Sequence, residues 1–169
     1  MSAPSFGVLL LPGPALSRPE AVAEVGRAAA DLGYASVWST DPALLAAVRA
    51  PLPLGLRSDA LPLPVAVRYQ RAAVPAAHVA AARSAWSCRE VLATDGDDTG
   101  ADGRWLPLRA VAAPVRGLTV VHVLRPSDEE LHRAAALGAS EVVVALPGAP
   151  ELDALLAGFA AAAERLAQA

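Results

Sequence analysis

Hydrophobic spacing changes period twice within the first forty positions. Phe6 to Leu11 is apolar at nearly every position, as in a strand covered on both faces. Ser17-Arg18-Pro19-Glu20 then reads as a helix start, with Ser17 capping the first N–H groups and Glu20 answering as its capping-box partner. Val22, Val25, Ala29 and Leu32 recur at three- and four-residue spacing, which gives the helix one apolar stripe. Gly33 stands where a left-handed C-terminal cap is needed. Tyr34 to Ser39 is β-prone again, so the opening predicts strand, helix and strand with a right-handed crossover and parallel pairing.

The same unit returns near the other end. Ser127-Asp128-Glu129-Glu130 repeats the capping box, Leu137-Gly138 repeats the helix stop, and Glu141 to Leu146 repeats the strand. Between the two copies, Pro42 to Val48 predicts a short helix and Leu52 to Arg57 a strand. Val65 to Val74 fits either a helix or a strand followed by a helix, and Ala76 to Leu92 looks helical. Leu118 to Leu124 gives another strand, and Glu151 to Gln168 a closing helix with Leu152, Leu155, Leu156, Phe159, Ala163 and Leu166 on one face. Five strands are convincing and six are the most the pattern supports, in one α/β domain covering residues 1–169.

Composition narrows the chemistry. Formal charge is −3 and the basic residues are scattered, so no nucleic-acid footprint is expected. All 14 cationic residues are Arg, which excludes Schiff-base chemistry and a P-loop lysine, since both need an ε-amine. The lone Cys88 cannot form an intrachain disulfide, and a reducing, cytoplasmic setting is expected. The apolar run at Phe6 lacks the charged start of a signal peptide, and no other run is long enough to span a bilayer. No histidines and carboxylates have metal-ligand spacing, so no metal is expected. The acidic stretch Thr94 to Gly103 resembles a calcium loop, but Leu106 occupies the place of the bidentate Glu.

Several segments resemble the luciferase-like flavin-dependent monooxygenases. They are Gly7 to Leu10, Pro19-Glu20, Gly33-Tyr34-Ala35-Ser36-Val37-Trp38, Asp41-Pro42 through Ala47, Leu54-Gly55-Leu56-Arg57, and Pro64 to Val67 with Gln70. Trp86 and Asp102-Gly103-Arg104-Trp105 are similar to segments of the nitrilotriacetate monooxygenase branch, and Gly138 to Gly148 with the helix from Glu151 is similar to the closing unit. The resemblance implies a (β/α)₈ barrel relative that uses reduced FMN or F420. Because a full barrel takes about 250 residues, it implies a shortened form: an incomplete (β/α) barrel-like parallel sheet of five or six strands with flanking helices. The family's Asp-His pair is Asp41-Pro42 here, and Pro147-Gly148-Ala149-Pro150 offers few N–H groups to a phosphate.

Ligand residues are expected just past the strands, at the carboxyl edge of the sheet. The cofactor-binding candidates are Asp41, Arg57, Ser58, His122 and Arg125. Arg57 and Arg125 suit a phosphate or carboxylate, Ser58 adds a donor, and His122 suits a flavin ring or a substrate. Each has a plainer reading, with Asp41 an N-cap before Pro42, His122 a core histidine and the others loop residues. No catalytic residue is assigned. Two functions stand side by side. One is a flavin-dependent oxidoreductase using FMN or F420, completed at a homo-oligomer interface that covers open sheet edges. The other is a non-catalytic, flavin-free subunit that docks on a related full-length chain.

Overall fold

The computed structural model describes residues 4–57, 68–71, 90–93, 101–124, 127–145 and 149–168. In chain order the elements are β1 (Ser5–Leu10), a 3₁₀ turn (Pro14–Leu16), α1 (Pro19–Asp31), β2 (Ser36–Ser39), α2 (Pro42–Ala47) and β3 (Leu54–Arg57). There follow β4 (Arg68–Arg71), β5 (Glu90–Ala93), β6 (Gly103–Pro107), a second 3₁₀ turn (Leu108–Ala110), β7 (Leu118–Leu124), α3 (Asp128–Ala136), β8 (Glu141–Ala145) and α4 (Leu152–Leu166). Every strand pairs in parallel with the next, and β8 pairs with β1, so the sheet is a closed barrel.

The parallel, barrel-like α/β sheet with flanking helices is the one the sequence predicts, with eight strands in place of five or six. Arg68–Arg71 is the strand of the two options left open there. Glu90–Ala93 takes the end of what reads as an alanine-rich helix, and Gly103–Pro107 follows an acidic stretch and ends on a proline. What is incomplete is the helical layer: β6 and β7 are joined through one 3₁₀ turn with no α-helix. The closed ladder leaves no open strand edge, so the edges that an interface was expected to cover are paired within the barrel.

Alternation divides the strand residues between two cores. Leu9, Trp38, Leu92, Trp105, Val120, Val143 and Ala145 fill the lumen. Val8, Leu10, Val37, Leu56, Val121, Val142 and Val144 pack outward against Val22 and Val25 of α1, Leu131 of α3 and Phe159 of α4. β1, β2, β7 and β8 contribute buried residues to both cores, which is why these strands read as largely apolar runs.

Local signals account for the helix ends. Gly33 and Gly138 take φ of 82° and 78° after α1 and α3, as left-handed caps. Ser127 and Glu130 form the capping box reciprocally. The box expected at Ser17 does not form: Ser17 closes the first 3₁₀ turn through its N–H on the Pro14 carbonyl, and α1 starts at Pro19 behind Arg18. Tyr34, buried ahead of β2, donates to the Phe159 carbonyl at 2.8 Å and ties the barrel to α4. Burial pushes its phenol up to about 12.

A polar cluster closes the amino end of the lumen. Glu141 is 4% exposed and accepts from Ser36 Oγ, while Trp38 Nε1 donates to Ser36 Oγ at 3.0 Å. These side chains, from β8 and β2, meet across β1 because the residue between them is Gly7, whose added Cβ would overlap both. Gly55 does the same for Trp38, since a Cβ there would lie within the indole. Gly55→Ala therefore overpacks the lumen and should lower unfolding free energy by about 1–3 kcal/mol in urea titration. A wild-type midpoint would show that the lumen has room to spare.

Candidate functional site at the carboxyl mouth of the barrel

Two of the sequence-predicted residues come together at the carboxyl ends of the strands. Arg57 is the last residue of β3, and His122 lies in the carboxyl half of β7, in register with Pro107 and Val143. Trp105 of β6 joins them. It stacks on the imidazole with ring centroids 5.7 Å apart and planes 24° from parallel, and the Arg57 guanidinium stands 5.8 Å from the Trp105 ring centroid. Below, Trp105 packs against Trp38 at 4.6 Å, so the mouth rests on the aromatic filling of the lumen.

His122 is half-buried, and its Nδ1 is shielded from solvent with no hydrogen-bond partner among the described residues. Burial is the main cause that lowers its pKa, to about 4 from an ordinary 6.5, followed by the charges of Arg57 and Arg109, with the Leu106 backbone acting the other way. The imidazole is neutral at physiological pH, and the positive field of two guanidiniums falls on it. Arg109 reaches the site from the 3₁₀ turn after β6. Beside His122 lies a cavity of about 200 Å³ lined by Pro107, Leu108, Arg109, His122, Val123 and Glu130.

The remaining candidates divide. Asp41 caps α2, its carboxylate accepting from the Ala43 N–H at 2.8 Å, while its own N–H donates to Ser39 Oγ at 3.1 Å. That is the N-cap role open to it from sequence. Ser58 and Arg125 lie outside the described residues. Sequence reasoning missed Arg109 and the wall residue Glu130. Arg109 follows a strand that the pattern did not reveal, and Glu130 is marked in the sequence only as a helix cap. Among the described residues, no three metal-ligating side chains cluster, and no helix is long and apolar enough to cross a membrane.

The sequence matches no family model and no curated protein. Solved structures share the fold. N-acetylmannosamine-6-phosphate 2-epimerase from Clostridium perfringens is 14% identical with a TM-score of 0.66, over 92% of this chain and 91% of that one. (S)-3-O-geranylgeranylglyceryl phosphate synthase from Thermoplasma acidophilum, solved with sn-glycerol-1-phosphate, is 12% identical with a TM-score of 0.60, over 99% and 94%. A truncated 3-deoxy-D-arabino-heptulosonate 7-phosphate synthase from Thermotoga maritima is 12% identical with a TM-score of 0.54, over 98% and 87%. These are TIM barrels named for phosphate esters, and they overturn the likeness to luciferase-like monooxygenases along with the FMN or F420 oxidoreductase it implied. The flavin-free subunit alternative is not supported either, since the barrels of like fold are named as an epimerase and two synthases. The segments that suggested the family are capped helices, Gly stops and apolar strands, which any βα unit requires.

Proposed function

We propose that the barrel is an enzyme of the cytoplasm acting on a phosphorylated small molecule, bound at the carboxyl mouth by Arg57 with Arg109 nearby, and that His122 moves the proton. The observation that carries this reading is the neutral His122, in the field of two guanidiniums, beside a cavity that Arg109 also lines. A phosphate ester is the complementary charge, since guanidinium matches phosphate oxygens by paired, charge-assisted hydrogen bonds. The phosphate esters named for the three barrels of like fold agree with it. Its site is also where barrels of this kind carry their chemistry.

Electrostatics link binding to the proton. In the free protein the imidazole is held neutral. A bound anion offsets the two guanidiniums and brings the His122 pKa back toward its ordinary 6.5, where it can give or take a proton near neutrality. Arg125 and Ser58 are further candidates for the phosphate, by their positions just past β7 and β3.

Replacing Arg57 with Ala removes a charge-assisted contact and should weaken glycerol 1-phosphate binding roughly 10- to 100-fold in calorimetry. Undiminished affinity would end the anion assignment. A second outcome concerns pH. Because the ligand raises the imidazole pKa, binding takes up a proton between pH 6.5 and about 4. Affinity for sulfate, which does not titrate there, should rise as pH falls through that window in the wild type and stay flat in His122→Asn. Stability of the free protein moves oppositely: the depressed pKa contributes stability present above pH 6.5 and lost as pH falls toward 4, a decline His122→Asn should lack in thermal melts.

A further inference from the structure

We infer that Arg133 is a positioning residue for the mouth of the barrel, because its hydrogen bond to the Val111 carbonyl holds the 3₁₀ turn that carries Arg109 in place beside His122. This rests on the reading of the mouth as a phosphate-ester site and adds what fixes one of its groups. The cavity is assembled from separate elements: Pro107, Leu108 and Arg109 come from the end of β6 and the turn after it, His122 from β7 and Glu130 from α3. Its shape therefore depends on what ties the turn to α3. Arg133 stands three residues beyond Glu130, next to it along the helix surface, and donates from Nη2 to the Val111 carbonyl at 2.7 Å.

Val111 is the point at which such a bond governs the turn. Its N–H closes the turn on the Leu108 carbonyl at 3.1 Å, and its backbone then leaves in an extended conformation. A 3₁₀ turn this short has poor hydrogen-bond geometry and no length over which to become cooperative, so its orientation is set from outside. Leu108 and Val111 are buried, but apolar burial is non-directional and does not fix how the turn faces. Farther along, the Val115 N–H donates to the Leu137 carbonyl at 2.8 Å and holds the other end of the segment to the end of the same helix. Arg133 is the tie beside the turn itself. Arg109 is exposed on its long side chain, so a turn released from α3 lets its guanidinium leave the cavity wall for solvent. His122 registers that movement, because the Arg109 charge acts on it after burial and Arg57, with Glu130 on the same cavity wall.

The test is a double-mutant cycle read by NMR titration of His122 in the ligand-free protein, with His122→Asn identifying its resonance. Arg109→Ala should raise the His122 pKa from about 4 toward 6.5. Arg133→Ala should raise it in the same direction, and when made in the Arg109→Ala protein should raise it no further. A bond that served stability alone would lower the unfolding midpoint and leave the imidazole unmoved, and a direct effect of the Arg133 charge would persist without Arg109. Either result overturns the inference, as does an unmoved His122 in Arg109→Ala. If Arg133→Ala does not fold, Arg133→Met takes its place in the cycle with the same expected shifts, since it keeps the apolar stem and the helix propensity while removing the donor. Calorimetry with glycerol 1-phosphate separates this role from the reading on which it rests. Each single variant should weaken binding roughly three- to tenfold, and the double variant no more than Arg109→Ala. If the ester does not bind the wild type, the phosphate-ester reading fails, while the His122 cycle still decides whether Arg133 positions the turn.

Discussion

The Trp38 indole is the constraint on which the rest of the barrel depends. Strands of four to seven residues enclose little volume, and that volume is filled chiefly by two tryptophans with no exposed surface, Trp38 and Trp105. Trp38 fits because β3 presents Gly55 beneath it, and its ring N–H is satisfied because Ser36 and Glu141 meet across Gly7. Lumen packing and the polar floor thus fix one another. Burying the Glu141 carboxylate would be costly unless hydrogen-bonded, and the indole and hydroxyl that bond to it belong to the strand whose ring fills the space above.

From that filling the mouth takes its geometry. Trp105 rests on Trp38, the His122 imidazole stacks on Trp105, and the Arg57 guanidinium stands over the same ring. Rigid support beneath a titratable group matters, because a site preorganised by packing loses less free energy to rearrangement when a ligand arrives. Burial, with the charges of Arg57 and Arg109 added to it, holds the His122 pKa well below its ordinary value.

Closing a barrel within 169 residues calls for economies that are visible in the chain. Several strands are only four residues long, α2 has six residues, and β6 passes to β7 through a 3₁₀ turn. That last economy shapes the candidate site, because the turn that joins the two strands is the element that carries Arg109. The likeness to a flavoprotein family arose from features shared by every unit of this kind: a capped helix, a glycine stop and an apolar strand. Such features report the unit and carry no information about what binds at its edge.

Taken alone, the sequence determined the βα repeat, the parallel sheet with helices around it, the Gly33 and Gly138 stops, the Ser127 capping box and the Asp41 cap, because each follows from contacts among residues near one another in the chain. It also placed Arg57 and His122 at the carboxyl edge of the sheet. Only the tertiary structure decided that β5 and β6 are strands, since Glu90–Ala93 sits in a helix-like alanine-rich stretch, Gly103–Pro107 follows an acidic stretch and ends on a proline, and both gain their strand character from the neighbours they pair with. Closure, the role of Gly7 and Gly55, and the meeting of Arg57, Trp105, Arg109, Glu130 and His122 were decided there too. Those residues come from β3, β6, the turn after it, β7 and α3, and burial and charge at a site act through space, at distances that separation along a chain does not encode.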